Sequence, residues 1–294
     1  MSIGAVPVES AAAVSAGQAD LRGQVLRDLV RQKSFIAGAV ILGFWILAAI
    51  FGSAVVKDPS AQNLLLINQA PSGSHWFGTD SLGRDMFARV ITGSRDILIT
   101  APLATLLGTV MGTILGLVMG YFRGIVDDVV GRVVEAFLAL PLVVTGILGI
   151  VALGASNTTL IIVIGIVFTP LIARTVRAAV LLERELDYVS AAKLRGEGSL
   201  YIMFAEILPN VLAPIMVEFT VRLGYAVFTI VTLSFLGFGI PPPSPDWGLD
   251  ISNNFPQVTA GYWWEVLFDA LAVASLVIGV NMIANSIESA LDAS

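Results

Sequence analysis

The residues of this chain that could do chemistry are few, and the most notable are charges inside long apolar stretches. Glu218 and Arg222 stand four residues apart in one such stretch, and Glu135 lies in another. The chain has no cysteine, and His75 is its only histidine, so thiolate and histidine metal clusters are excluded and a Ser-His-Asp triad is not expected. No Gly-x4-Gly-Lys-Ser/Thr loop for ATP phosphates occurs either. The sequence therefore predicts no catalytic residue and no metal site.

The surroundings of these charges are those of a membrane protein. Of the 294 residues 56% are hydrophobic and 13% are charged, whereas about 25% of the residues of soluble domains are charged. Apolar stretches of about 20 residues can span a bilayer, and only helices or closed barrels satisfy the backbone there. Six such stretches occur, near 35–56, 97–121, 129–153, 158–182, 211–238 and 266–287. They lack period-two alternation, so the predicted fold class is an all-α integral membrane protein with six transmembrane helices.

The distribution of Lys and Arg predicts that both termini lie in the cytoplasm. Cations are frequent in the N-terminal arm and in the connections after the second and fourth spans, and none follow the third or the fifth. The connection after the first span is the exception, since it also contains cations. The predicted organisation is an N-terminal arm at 1–34, a first transmembrane helix at 35–56, an extracytoplasmic segment at 57–96, and a five-helix core at 97–290 that contains a cytoplasmic loop at 183–210.

The arm has an apolar residue at every fourth position. Leu21, Val25 and Leu29 follow this spacing, with arginines between them. The pattern is typical of a short amphipathic helix on the cytoplasmic leaflet, in contact with membrane lipid. A basic stop that only sets the topology explains the same residues.

The most polar interior segment is DYVSAAKLRGEGSLYIMFAEILPN, residues 187–210. Tyr188, the paired alanines Ala191 and Ala192, and Arg195 have the spacing of neighbours on a helix face. Gly196 can end that helix, and a second helix near 199–208 would return to the membrane. Two to eight residues would suffice to join two spans, so a connection of about 28 residues with its own helices favours a docking surface. A passive connection remains the alternative.

The same segment resembles the loop of inner-membrane permease subunits of binding-protein-dependent ABC importers. In that family a Glu-Ala-Ala, three-residue, Gly pattern is followed about nine residues later by Ile-x-Leu-Pro. Ser190-Ala191-Ala192 and Gly196 keep the first spacing, and Leu208-Pro209 keeps the end. Ser190 stands where the family has Glu, which puts one ionic contact in doubt, and Glu206 stands where it often has Ile. The blocks HWFGTDSLGRDMFARVITGSRDIL, GYFRGIVDDVVGRVVEAFLALP and LSFLGFGIPPPSPDWG are similar to those of the C-type dipeptide/oligopeptide permeases, and the resemblance covers about residues 35–290.

The resemblance implies the type I importer fold and a transport complex in the bacterial cytoplasmic membrane. The implied partners are a homologous second permease in a heterodimer, two ATPase subunits or domains and an extracytoplasmic substrate-binding protein, with no nucleic acid. ATP and Mg²⁺ would be bound by the ATPases, and this chain would bind no cofactor and would be no enzyme itself. The expected cargo is a di- or oligopeptide, with nickel complexes, haem and glutathione as alternatives. The residues implied in coupling to the ATPase are Asp187, Tyr188, Ser190, Ala191, Ala192, Arg195, Gly196 and Pro209.

The charges within the spans allow two interpretations. A charge in hydrocarbon costs several kcal/mol, so such residues usually face a bundle interior or a cavity and form pairs. Glu218 and Arg222 can neutralise each other inside the protein, or line the translocation path. Glu135, with Arg132, is open to the same two interpretations.

The segments predicted outside the membrane also contain candidates for contact with the substrate-binding protein. Local ion pairs of Asp80 with Arg84 and of Asp85 with Arg89, together with a helix cap at Asp80 or Ser81, explain the first group without any partner. A rigid proline-rich segment can be a docking site or a stiff cap. The candidates for binding-protein contact are Asp80, Arg84, Asp85, Pro242, Asp246 and Trp247.

Two other classes of function compete with the ATP-driven importer. A self-sufficient secondary transporter would use midplane carboxylates and helices broken near Pro141 and Pro170, but no internal repeat is visible. An intramembrane enzyme is weaker still, because no nucleophile–base set occurs.

Overall fold

The computed structural model describes residues 29–292, so most of the amphipathic helix predicted in the arm lies outside the described residues. The described chain is helical and forms no strands. Its helices are α1 Lys33–Val55, α2 Met86–Phe122, α3 Gly124–Leu138, α4 Leu142–Leu153, α5 Asn157–Glu183, α6 Asp187–Leu194, the composite α7 (Ser199–Tyr201, π-helical Ile202–Ile207, Leu208–Asn210), α8 Leu212–Leu233, α9 Trp247–Asn254 and α10 Trp264–Asp292. A π-helical turn at Ser234–Phe238 extends α8, and 3₁₀ turns occupy Leu64–Leu66 and Phe255–Ala260.

Five helices of the described chain are long and apolar enough to cross a bilayer. They are α1, α2, α5, α8 with its extension, and α10, and a sixth crossing results if α3 and α4 form one bent span. The all-α membrane fold class is therefore confirmed.

The bend between α3 and α4 corrects the predicted continuous span at 129–153. The two helices meet at 91°, and Pro141 is the residue that precedes α4. Proline has no backbone N–H, so it fits a helix start better than a helix interior. Pro170 differs, because it lies inside the unbroken α5.

Helix α2 begins eleven residues before the predicted span at 97–121, so residues 86–96 of the 57–96 segment are helical. The Asp85 carboxylate caps it by accepting a hydrogen bond from the Ala88 N–H at 2.9 Å. The first turns of α2 are polar in sequence but buried, since Arg89 is 1% exposed and Ser94 is 0% exposed. Contact with other protein segments, which hydropathy cannot register, explains the early start.

Glycines at intervals of four on α2 form a close contact with α5. An added Cβ would lie 2.7 Å from the Cβ of Ile172 at Gly112, and 2.6 Å from that of Val176 at Gly116. Such spacing lets two backbones approach closely. The glycine face of α2 therefore packs within the chain, against Ile172 and Val176.

Candidate functional site

The loop between the spanning helices α5 and α8, residues 183–210, is built as two short helices with a defined turn. Gly196 has a φ of +81°. Residues other than glycine adopt such a backbone angle only with strain. The Gly196 N–H donates to the Lys193 carbonyl at 3.0 Å, and the Glu197 N–H donates to the Ala192 carbonyl at 3.2 Å. These are the two hydrogen bonds of a Schellman cap, so the chain reverses sharply after α6.

The two alanines of the motif face opposite ways. Ala192 is fully buried together with Val189, whereas Ala191 is exposed. The interpretation that both alanines share one free face is therefore corrected, because α6 uses Val189 and Ala192 to pack on the rest of the chain. Ser190 and Asp187 are exposed beside Ala191 and form the free face with it.

The same loop exposes large apolar side chains that the sequence interpretation missed. Leu194 is 90% exposed, Leu200 69% and Tyr201 51%. Exposed hydrophobic residues grouped on a short polar loop are typical of an interaction surface. The sequence could have revealed them, because they are apolar residues within an otherwise polar loop, at the end of α6 and the start of α7.

Hydrogen bonds tie both ends of the loop together. The Tyr188 hydroxyl donates to a Glu183 carboxylate oxygen at 2.8 Å and accepts from the Asn210 side-chain amide at 3.2 Å. Burial and the bond to Glu183 raise the pKa of Tyr188 to about 12, so its phenol stays protonated and keeps donating at physiological pH. The side chain of Tyr188 therefore fixes α6 to the end of α5 and to the end of α7.

Arg195 pairs with Glu206, one of the two residues at which the loop departs from the family pattern. Its guanidinium donates to a Glu206 carboxylate oxygen at 3.0 Å, and Glu206 lies in the π-helical turn of α7. Pro209 lies in the last turn of α7, which continues to Asn210. Turns of this π-helical kind are often found at functional sites.

The turn at Gly196 gives a direct prediction. A Cβ at Gly196 or at Gly198 would meet no atom within 4 Å, but only Gly196 has a positive φ, while φ of Gly198 is −70°. We expect Gly196→Ala to weaken the turn by about 1 kcal/mol and to accelerate amide hydrogen exchange at 196–197. Gly198→Ala is the matched control and should leave exchange unchanged. Equal protection in both variants would contradict the strained-turn account.

At the opposite end of the bundle, the predicted group around Asp80 is a buried network. Arg84 Nε donates to Asp80 Oδ2 at 2.6 Å, as the spacing predicts. The predicted pair of Asp85 with Arg89 is wrong, since Asp85 Oδ2 lies 2.7 Å from His75 Nδ1. Neither Asp80 nor Ser81 caps α2, because Asp85 does so.

Arg89 instead pairs with Asp250 on α9. Its Nε and Nη2 donate to the two carboxylate oxygens at 2.8 and 2.7 Å, and both side chains are at most 2% exposed. This bidentate pair joins the start of α2 to α9. It carries a role that the sequence interpretation did not assign to either residue.

Asp246 and Trp247 fix the start of α9. Asp246 accepts hydrogen bonds from the Leu249 N–H at 3.0 Å and from the Ser234 hydroxyl at 2.8 Å, and burial raises the pKa of its carboxyl. The Trp247 indole N–H donates to the Val90 carbonyl at 2.9 Å.

These positions bear on the expected contact with a binding protein. Five of the six candidates have little surface to offer, since Asp80, Arg84, Asp85, Asp246 and Trp247 are at most 8% exposed. Pro242 is exposed. The prediction that these five residues contact a binding protein is therefore corrected, since their role in the described conformation is structural. Contact through Pro242 stays a prediction.

The predicted pair within α8 forms. Arg222 Nε donates to Glu218 Oε1 at 2.6 Å, and the two side chains are 20% and 12% exposed. Glu135 is different: among the described residues it forms no ion pair with Arg132, and both line a cavity of about 350 Å³ between α3 and α5. Asp127 and Arg177, in the same cavity wall, form a bidentate pair at 2.6 Å.

The pair in α8 gives a second prediction. Glu218→Gln leaves Arg222 without its partner in an apolar environment, so the single variant should lose more stability than Glu218→Gln combined with Arg222→Gln. We expect a coupling free energy of about 1 kcal/mol in a double-mutant cycle, measured by thermal unfolding in detergent. Additive effects of the two substitutions would contradict the pairing.

Comparison with known proteins decides the family. Residues 112–294 match the family described as "Binding-protein-dependent transport system inner membrane component", and residues 21–71 match the "N-terminal TM domain of oligopeptide transport permease C". The chain belongs to this family of permeases. The resemblance of its loop motif and three sequence blocks is thereby confirmed.

Curated relatives match this permease over most of its length. The dipeptide transport system permease protein DppC of Alkalihalophilus pseudofirmus is 36% identical over 92% of the chain and 88% of the relative. The oligopeptide transport system permease protein OppC of Bacillus subtilis is 34% identical over 88% and 85%. The glutathione transport system permease protein GsiD of Pectobacterium atrosepticum is 31% identical over 90% and 89%.

Solved structures support the fold of the permease. An inward-facing structure of the MetNI methionine ABC transporter superposes with a TM-score of 0.52 and 19% identity, over 68% of this chain and 97% of that one. An amino acid ABC transporter gives 0.50 and 20%, over 69% and 94%. The permease is thus a multi-pass membrane protein with the fold of ABC importer permeases.

Proposed function

We propose that this permease is the C-type subunit of a peptide importer whose energy comes from a separate ATPase docked on residues 187–210. One observation carries the proposal. The loop presents an exposed apolar face, with Leu194 90% exposed, on a chain that has no phosphate-binding loop of its own. An exposed apolar group with a rigid frame is suited to fill a groove in a partner.

The proposed complex contains three kinds of component besides this chain, one of which is homologous to it. Two ATPase subunits or domains bind ATP and Mg²⁺, a homologous permease completes a heterodimer, and an extracytoplasmic substrate-binding protein delivers cargo. Both termini and the 183–210 loop lie in the cytoplasm, and the complex resides in the bacterial cytoplasmic membrane. The permease itself binds no cofactor and contacts no nucleic acid.

A peptide cargo is supported by the names of the relatives and by the charges between α3 and α5. The DppC and OppC relatives are named for dipeptide and oligopeptide transport. The cavity that holds Glu135 also holds Arg132 and Arg174, so groups of both signs are available there for the terminal ammonium and carboxylate of a peptide. Glutathione, the cargo named for the GsiD relative, carries the same two kinds of group.

The loop can pass motion to the spans because it continues directly into them. Helix α5 ends at Glu183, four residues before α6 begins at Asp187, and α8 begins at Leu212, two residues after α7 ends. ATP-driven closure of the ATPases shifts the loop, and the shift moves α5 and α8 between inward-open and outward-open arrangements. The coupling requires that the loop bind one ATPase state more tightly than the other.

Reconstitution tests this function. The permease is co-purified with its second permease and ATPases, placed in proteoliposomes with the binding protein, and assayed for uptake of a labelled dipeptide. We expect uptake only with ATP and with all components, and competition by glutathione reports the alternative cargo. Uptake by the permease alone under an ion gradient would instead establish a secondary transporter.

A further inference from the structure

A slot between α1 and α2 is open to the surroundings of the bundle. A cavity of about 490 Å³ lies between these helices and α8 and α10, and its walls include Leu42, Ile46 and Ile50 of α1. Its volume is in the range of small-molecule sites, about 300–1,000 Å³. Ile46 is 43% exposed and Ile50 61%, so the apolar wall faces outward rather than being closed by this chain.

A second cavity continues the slot toward the end of α1. It measures about 650 Å³ and shares Ala49, Arg95 and Ile99 with the apolar cavity. Its rim adds Lys57 and Asp58 just beyond the end of α1 at Val55. The α1–α2 slot thus combines an apolar interior with a charged mouth at one membrane boundary.

The mouth contains charges of both signs. Arg95 is exposed and forms no ion pair with any described residue, whereas Lys57, which is 61% exposed, lies 3.8 Å from a carboxylate oxygen of Asp85 and donates to the Ser74 carbonyl at 2.9 Å. Two acids share the rim: Asp58, which is exposed, and Asp96, which accepts hydrogen bonds from Asn157 and Ser244 at 3.2 and 3.1 Å. Two cations and two carboxylates leave the rim with no net charge.

We propose that the α1–α2 slot binds one zwitterionic phospholipid, of the phosphatidylethanolamine type. Its phosphate contacts Arg95 and Lys57, its ammonium group contacts Asp58, and an acyl chain occupies the apolar cavity. A neutral rim with separated charges complements such a head group, whereas an anionic lipid has no ammonium group for Asp58. On the orientation proposed above, this lipid belongs to the outer leaflet.

A lipid in the slot would explain why Arg95, which has no ion-pair partner among the described residues, lies beside exposed apolar side chains. An arginine facing hydrocarbon is costly unless it reaches the interface or an anion, and the lipid phosphate supplies that anion. The site is separate from the 183–210 loop and does not depend on the ATPase-docking proposal.

Native mass spectrometry of the purified permease complex tests the proposal. The complex is delipidated in detergent and titrated with phosphatidylethanolamine, phosphatidylglycerol or glycerophosphoethanolamine, the last to separate head-group from whole-lipid binding. We expect one phosphatidylethanolamine to be retained at least tenfold more tightly than phosphatidylglycerol, and no retention of the head group alone. Equal retention of both lipids would overturn the proposed selectivity.

Matched variants locate the lipid. Arg95→Gln should weaken retention about tenfold, and Lys33→Gln, which removes a cation at the other end of α1, should not. Ala49→Leu narrows the junction of the two cavities and should also weaken retention, with Ala39→Leu on the same helix as its control. Unchanged retention in both slot variants, or cross-linking of a cysteine at Ala49 to the second permease, would assign the slot to something other than lipid.

Discussion

Replacement of Leu194 by aspartate is expected to detach the ATPase from the permease. Leu194 is the last residue of α6 and is 90% exposed, two residues after the buried Ala192. Burial of a leucine side chain contributes about 1.5–3 kcal/mol, so the affinity of the ATPase for the permease should fall at least about tenfold. Co-purification of the ATPase and ATP-dependent uptake are both expected to be lost, while the permease still inserts.

Two further variants separate docking from folding. Ala191→Arg places a large charge on the free face without disturbing Val189 or Ala192, and it should have the same effect as Leu194→Asp. Leu65→Asp is the exposure-matched control, since Leu65 is 88% exposed and lies in the segment predicted on the other side of the membrane. It should leave the amount of co-purified ATPase unchanged. Normal ATPase binding by Leu194→Asp would refute docking at this face.

Replacement of Asp250 by asparagine is expected to destabilise the end of the bundle at which α2 meets α9. The carboxylate is the bidentate partner of Arg89, and both side chains are at most 2% exposed. Removal of one partner from a buried ion pair costs about 3–5 kcal/mol, because the remaining charge stays buried. The thermal transition of the purified permease should therefore fall by roughly 10 °C.

The double variant shows whether charge or shape is decisive. Arg89→Met combined with Asp250→Leu removes both charges and should recover at least half of the loss. Arg195→Gln breaks the exposed pair with Glu206, for which side-chain exposures are 54% and 25%, and it should cost less than 1 kcal/mol. If the Asp250→Asn variant unfolds at the same temperature as the parent protein, the pair contributes little to stability.

Whether an ion pair could be predicted from the sequence depends on how many residues separate its two partners along the chain. The pairs of Glu218 with Arg222 and of Asp80 with Arg84 are four residues apart, and helix geometry alone brings such residues together. Arg89 and Asp250 are 161 residues apart, so spacing could not pair them, and Asp85 was assigned to Arg89 instead. The same limit explains why Asp246 and Trp247 were taken for surface residues.

The phase of a short helix was the other limit. Helix α6 has eight residues, too few for hydrophobic periodicity to show which side is buried. Two adjacent alanines look equivalent in sequence, and only packing against the rest of the chain distinguishes buried Ala192 from exposed Ala191. The turn at Gly196 was accessible because glycine itself signals a positive φ.

The glycine contact between α2 and α5 determines how the subunit can deform. Where Gly112 and Gly116 touch α5, hardly any side-chain layer separates the two backbones, so sliding one helix past the other would force main chain against Ile172 or Val176. The two helices are therefore expected to move as one rigid unit. Helix α5 has 27 residues, about 40 Å at 1.5 Å per residue. If an ATPase acts on the 183–210 loop as proposed, a displacement at Glu183 would move α2 and α5 together, and bending is expected where the helical path is already interrupted, at Pro141 between α3 and α4.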